Sequence, residues 1–304
     1  MSVQTLKRGF VLHRRDYRNT SLLIELFTAD EGRLVCVAKG AKSAPRGRSA
    51  LAALLQPFQP LWLGWVGRGE VKTLTRAEAA APSIALVAER LYCGFYLNEL
   101  LTRLIDREDP HEALFVFYQQ ALADLASEPL DAVLRRFELR LLEELGYALD
   151  LQSDRQGKPI EPVHDYRYTP DQGLNPVPGL SVSLNDPVAA LHTGARMRET
   201  QIADDAVCEA AGAERFAVET SADKTSPDKT SPDETSPDKI SPAITQAAAT
   251  EVMISGGTLQ RLASGAPLQR GDLAPARALM RAALAPHLGP KPLRSRELFR
   301  RPST

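Results

Sequence analysis

Residues 1–80 hold 13 Lys and Arg against 6 Asp and Glu, a net charge of +7. Ten of these cations fall in or near loops and strand ends: Arg14, Arg15, Arg18, Arg33, Lys39, Lys42, Arg46, Arg48, Lys72 and Arg76. The chemistry open to such groups is non-covalent, because ammonium and guanidinium heads neutralise phosphates and release the counterions condensed on a polyanion. The run Lys39-Gly-Ala-Lys-Ser-Ala-Pro-Arg-Gly-Arg48 reads as a basic loop leaving a strand, able to wrap a phosphate backbone. Lys72 and Arg76 are expected on one face of the last strand. Tyr17, Phe58, Trp62 and Trp65 are candidate stacking platforms, although alternation equally assigns several of them to a core. The same cations could merely keep a small domain soluble, but their segregation favours binding.

Covalent chemistry has no comparable signature. The chain contains no Walker loop, no G-x-G-x-x-G, no nucleophile elbow and no H-E-x-x-H. Its five histidines are isolated from one another, and Gly64-Trp-Val-Gly-Arg-Gly69 sits between two strands, where a hairpin turn explains it better than a phosphate loop. Glu143-Glu144 and Asp204-Asp205 read as solvated surface charge. Cys36, Cys93 and Cys208 are far apart, with no C-x-x-C spacing. The expectation is therefore a binding protein and not an enzyme, with no cofactor and no metal.

The elements that must position the cations follow from periodicity. Five short runs over residues 8–14, 21–28, 33–39, 58–65 and 70–77 alternate or are continuously apolar, as strands do. Asp30-Glu31-Gly32 supplies a tight turn. In the second run Leu22, Ile24 and Leu26 share one face, while Leu23 and Phe27 make the other apolar. That strand should line a barrel and also meet a neighbouring domain. Five strands in about 70 residues fit the OB-fold, with an SH3-like barrel as the competitor. From Pro82 to about Ile105 the spacing becomes helical and apolar on nearly every side, predicting the centre of a bundle. Further helices are expected over 111–126 and from Pro129 to a cap at Gly146. Residues 166–179 read as an irregular connection.

Pentapeptides of the type Ser-Pro-Asp-Lys-Thr begin at Ser221, and disorder is predicted over about 200–250 because no repeat offers an apolar face. Helical patterning resumes at 258–263, 273–284 and 293–300. The fold class is thus α+β: an OB-fold domain over 1–80, a helical domain over 81–180, a variable insertion over 181–255, and C-terminal helices over 256–304 that complete the bundle. Charge follows this division, with net −7 over 81–150 (6 basic, 13 acidic) and +7 over 256–304 (9 basic, 2 acidic). No stretch approaches the roughly 18–20 apolar residues of a membrane helix, and residues 1–9 lack a secretory signal, so a soluble cytoplasmic protein without membrane contact is expected.

Several separate segments also carry a resemblance. In order, Gly-Phe-Val-Leu-His (9–13), Val-Ala-Lys-Gly-Ala-Lys (37–42), Leu-Gln-Pro-Phe (55–58), Gly-Arg-Gly-Glu-Val-Lys-Thr-Leu (67–74), Tyr-Leu-Asn-Glu-Leu-Leu (96–101), Leu-Arg-Arg-Phe-Glu-Leu (134–139) and Lys-Pro-Leu-Arg-Ser-Arg-Glu-Leu-Phe-Arg (291–300) make the chain similar to the RecO family of bacterial DNA repair proteins. The resemblance implies an OB-fold followed by a helical domain. It implies a recombination mediator that binds single- and double-stranded DNA and anneals strands coated by single-stranded-DNA-binding protein. It implies action with RecR so that RecA can load.

Many members carry a four-cysteine zinc module after the third bundle helix. Residues 147–180 contain no cysteine, so the chain resembles the zinc-free branch. The family recognises the acidic, Phe-ended tail of single-stranded-DNA-binding protein, and the matching position is Arg135, with Arg136 beside it. A guanidinium fork suits a terminal carboxylate while apolar neighbours bury the ring. An intrahelical pair from Arg135 or Arg136 to Glu138, Glu143 or Glu144 is the rival assignment. An adaptor that docks this tail and touches DNA only incidentally is the alternative function.

Overall fold

Residues 5–43, 50–181 and 251–299 are described by a computed structural model. Alternation in the first eighty residues produces β1 (Lys7–Tyr17), β2 (Ser21–Thr28), β3 (Gly32–Ala38), β4 (Leu61–Val66) and β5 (Val71–Ala79), with the short helix α1 (Ala50–Leu54) between β3 and β4. They close a barrel in the order β1-β2-β3-β5-β4. Neighbours pair antiparallel except at the seam, where β3 and β5 run parallel with Val35 opposite Val71 and Val37 opposite Thr73. This is the five-stranded barrel anticipated as an OB-fold.

The two apolar faces of the strands separate as expected. Val11, Leu22, Ile24, Leu26, Leu34 and Leu63 fill the barrel, whereas Phe10, Leu12 and Phe27 point outward into the helical core. Phe10 meets Tyr118 edge-on at 5.3 Å, and Phe27 lies 5.6 Å from Phe115. A polar pin fixes the orientation: Asn98 Nδ2 donates to the Leu12 carbonyl at 2.9 Å and Tyr118 Oη donates to Asn98 Oδ1 at 2.6 Å.

The helices are α2 (Glu89–Leu104), α3 (Glu112–Leu125), α4 (Leu130–Glu144), α5 (Gly256–Ser264) and α6 (Leu273–Leu288), followed by a 3-10 segment at Arg294–Phe299. Gly146, at φ 80°, ends the α4 turn as its position predicted. Pro82, in contrast, does not start α2. Residues 82–88 are irregular because this stretch folds back on the barrel: Ile84 N–H bonds the Phe58 carbonyl, and Leu86 is buried.

Residues 166–179 also differ from the pattern expected of them. They form not an irregular connection but a sheet of β6 (His164–Thr169), β7 (Gly173–Ser181) and β8 (Val252–Ser255) in the order β7-β6-β8. Tyr166 and Tyr168 are buried while Arg167 is exposed, a period of two too short to be read against the Pro and Gly around it. The pairing partner β8 is far away in sequence, so no local pattern announces it. Barrel, helices and small sheet belong to one compact unit, and a second unit over Leu191–Ala249 lies outside the described residues, as does the predicted disorder over 200–250.

Candidate nucleic-acid interface and partner pocket

A groove of about 660 Å³ opens where the β1–β2 turn, the end of β3 and the start of β5 converge. Tyr17 ends β1, Arg18 comes from the turn, Lys39 follows the end of β3, and Val71 and Lys72 come from β5. Strand pairing builds it: the parallel seam sets Val37 beside Thr73, and Lys42 N–H bonds the Thr20 carbonyl at 2.9 Å, folding the exit of β3 against the turn. Arg18, in a left-handed backbone conformation with φ 53°, lies 5.2 Å over the Tyr17 ring.

The ten predicted cations divide by what already holds them. Among the described residues, Arg15, Arg18 and Lys39 are exposed and their side chains make no hydrogen bond or ion pair. Lys42 pairs with Asp16 at 2.8 Å. Lys72 is buried with its ammonium 2.7 Å from Glu108, whose hydrogen bond raises the Lys72 pKa in spite of desolvation. Arg14 donates to the Ala52 carbonyl at 2.8 Å. Arg33 donates from Nε to the Ile105 carbonyl at 2.9 Å, with Glu25 at 3.6 Å, and burial lowers its pKa. Arg33 therefore ties the barrel to the end of α2.

Arg76 pairs with Glu78 and does not share a face with Lys72. A bulge at Thr75, between the pairs Trp65–Leu74 and Gly64–Arg76, flips the alternation and sends Arg76 outward. Arg46 and Arg48 lie outside the described residues. Of the aromatic candidates, Tyr17 lines the groove, Phe58 is core, Trp65 packs against the barrel core, and Trp62 is exposed on β4 away from the groove-lining residues. Cys36 is buried, which pushes its thiol up to about 12 and leaves it inert near neutral pH. Among the described residues no group of three or more His, Cys, Asp or Glu could hold a metal ion.

A second cavity, of about 590 Å³, lies between α4, Phe117 of α3, the 148–152 loop and the α5 region. The helical spacing of α4 brings Arg135, Arg136, Leu139 and Arg140 to its wall, and Arg261, Leu262 and Leu268 close the other side. Arg140 stacks over Phe117 at 4.4 Å and pairs with Glu143 and Glu144 at 2.7 Å each. Arg136 is held by Asp124 and Glu128. Arg135 is buried and paired within its helix: Nη2 donates to Glu138 Oε1 at 2.8 Å, and Nε lies 2.6 Å from Oε2. The rival intrahelical pair thus exists, yet Arg135 still lines the cavity. Phe117, Arg261 and Leu268 were not singled out from sequence, because α3, α5 and the loop after α5 meet α4 only in three dimensions.

Comparison with known proteins follows these boundaries. Residues 1–83 match the family Recombination protein O N terminal, and residues 87–193 match Recombination protein O C terminal. Three relatives are each named DNA repair protein RecO. That of Nitrosospira multiformis is 50% identical over 172 residues, covering 56% of this chain and 70% of the relative. That of Ralstonia nicotianae is 52% identical over 167 residues, covering 55% and 60%. That of Haemophilus influenzae is 49% identical over 171 residues, covering 56% and 71%. With both family halves matched in order over the barrel and the helices, the chain belongs to the RecO family.

Proposed function

We propose that this chain is a cytoplasmic, non-catalytic DNA repair protein, a recombination mediator that binds single- and double-stranded DNA and anneals complementary strands. It works with RecR and helps RecA load on DNA coated by single-stranded-DNA-binding protein. The observation that carries the reading is the barrel groove, where the unpaired Arg18 and Lys39 stand beside Tyr17 and the apolar Val71. A cationic rim can follow a phosphate backbone, and an aromatic face takes any base without reading its sequence, as annealing requires. The helical cavity is the dock for the acidic, Phe-ended tail: Arg135 and Arg136 meet carboxylates, and Leu139, Leu262 and Leu268 cover the ring.

One observation favours the second reading, an adaptor with weak DNA contact. Arg14, Arg33, Lys42, Lys72 and Arg76 are already engaged inside the protein, so their phosphates would have to compete with existing partners. Annealing of fluorescent complementary strands precoated with single-stranded-DNA-binding protein separates the two. A mediator accelerates annealing, and loses that when Arg18 and Lys39 are replaced together by Glu. An adaptor anneals no faster than the uncatalysed strands.

A further inference from the structure

Beneath the helical cavity lies a buried polar chain that joins α2 to α4. Glu138 on α4 is 1% exposed, and Arg135, one turn earlier, is 7% exposed. The guanidinium approaches Glu138 side-on, with Nη2 donating to Oε1 at 2.8 Å and Nε 2.6 Å from Oε2. From α2, Tyr96 Oη donates to the same Oε1 at 2.6 Å. Two helices thereby clamp one carboxylate. The Nε contact is an ion pair without hydrogen-bond alignment, and Nη1 is buried with no hydrogen-bond partner among the described residues. A planar guanidinium holding a carboxylate along its Nε–Nη2 edge keeps N–H bonds on Nη1 and Nη2 for a second acceptor.

We propose that Glu138, itself held by Tyr96, is a positioning residue that fixes the Arg135 guanidinium for an incoming terminal carboxylate, so that the ligand docks with the Arg135–Glu138 pair intact. This rests on the reading of the cavity as the tail dock. The opposite arrangement, in which the ligand draws Arg135 off Glu138, fails on magnitude. Leaving Glu138 as a buried, uncompensated charge costs more than one charge-assisted hydrogen bond to the ligand returns. Nη1 is buried at the wall of the cavity, so it meets the carboxylate only where that wall opens. The supporting pair then does what an outer shell does at other recognition sites, locking the rotamer of the group that touches the ligand.

The test uses the full chain and two probes, an acidic peptide ending in Phe with a free α-carboxylate and the same peptide as its C-terminal amide. The wild type should bind the free acid at least about tenfold tighter than the amide. Glu138→Gln should bring that ratio close to one, and Tyr96→Phe should lower it two- to threefold. Partial unfolding scales both affinities alike and cancels in the ratio, and Tyr96→Phe carries the test if Glu138→Gln does not fold. A ratio unchanged or raised in both variants, with the wild type discriminating, overturns the positioning role and leaves the dock standing. A wild type that does not discriminate overturns the dock, and the positioning role with it.

Discussion

Arg18 and Lys39 differ from Arg33 and Arg76 in their neighbours, not in their chemistry. A cation already satisfied by a carbonyl or carboxylate must surrender that partner to hold a phosphate, whereas an exposed unpaired one exchanges only water and counterions. Arg15, Arg18 and Lys39 should therefore give single-stranded DNA binding a log–log salt slope of about −2. Replacing Arg18 and Lys39 together by Ala should weaken binding alike for all sequences and flatten the slope by about 1.4. Arg76→Ala should leave both unchanged, and a loss there equal to that of the double variant would move the interface to the outer face of β5. Arg33→Ala should lower stability by about 1–3 kcal/mol, because the Ile105 carbonyl loses its donor and Glu25 its ion-pair partner, and chemical denaturation reads that loss.

Two connections hold the elements in register. The α2–α3 linker crosses the barrel so closely that a Cβ at Gly32, where φ is +63°, would sit 1.8 Å from the Asp109 carbonyl oxygen. Gly32→Ala should cost more than about 2 kcal/mol, through both the clash and the left-handed backbone, and an unchanged denaturation midpoint would sink that account. At the other end, Glu99 of α2 accepts the Arg294 N–H at 2.9 Å, the Ser295 N–H at 2.8 Å and the Ser295 hydroxyl at 2.7 Å, securing the 3-10 segment. Burial works to raise the Glu99 pKa, but these bonds and Arg103 outweigh it and hold the group below the usual 4.5. A carboxylate depressed in the folded state contributes stability above its unfolded pKa and withdraws it as pH falls through the folded value. The gap in stability between wild type and Glu99→Gln should therefore be full above about pH 4.5 and shrink below it. A gap that stayed constant down to pH 2 would contradict the assignment.

The described unit is held together by burial and by opposed charge. Phe10 and Phe27 of the barrel insert among Phe115 and Tyr118, with Asn98 satisfying the Leu12 carbonyl at the boundary, and Arg277 of α6 pairs with Asp131 of α4 at 2.8 Å. An interface this apolar predicts one cooperative unfolding transition for barrel and helices together. Calorimetry should give a single endotherm whose van't Hoff and calorimetric enthalpies agree. Asn98→Ala should lower the stability of that one transition by about 2–4 kcal/mol, since a carbonyl and the Tyr118 hydroxyl are left unsatisfied. Two resolved transitions would show that the barrel folds apart from the bundle.

Local pattern determined what local physics controls. The period-two runs and their turns located all five barrel strands to within a few residues, and the helical spacing and Gly146 located α3 and α4, because side-chain direction follows directly from backbone repeat. The segregated cations marked the segment that carries the groove. Tertiary structure alone decided which of those cations are free, since Asp16, Glu108 and the Ile105 carbonyl reach Lys42, Lys72 and Arg33 through folding. It also decided that a bulge at Thr75 turns Arg76 away from Lys72, that Val252–Ser255 pairs with a strand more than eighty residues earlier, and that residues of α3 and α5 complete the cavity around Arg135. Each of these depends on contacts between residues distant in the chain, and a pairing across that distance leaves no periodic trace in the residues that make it.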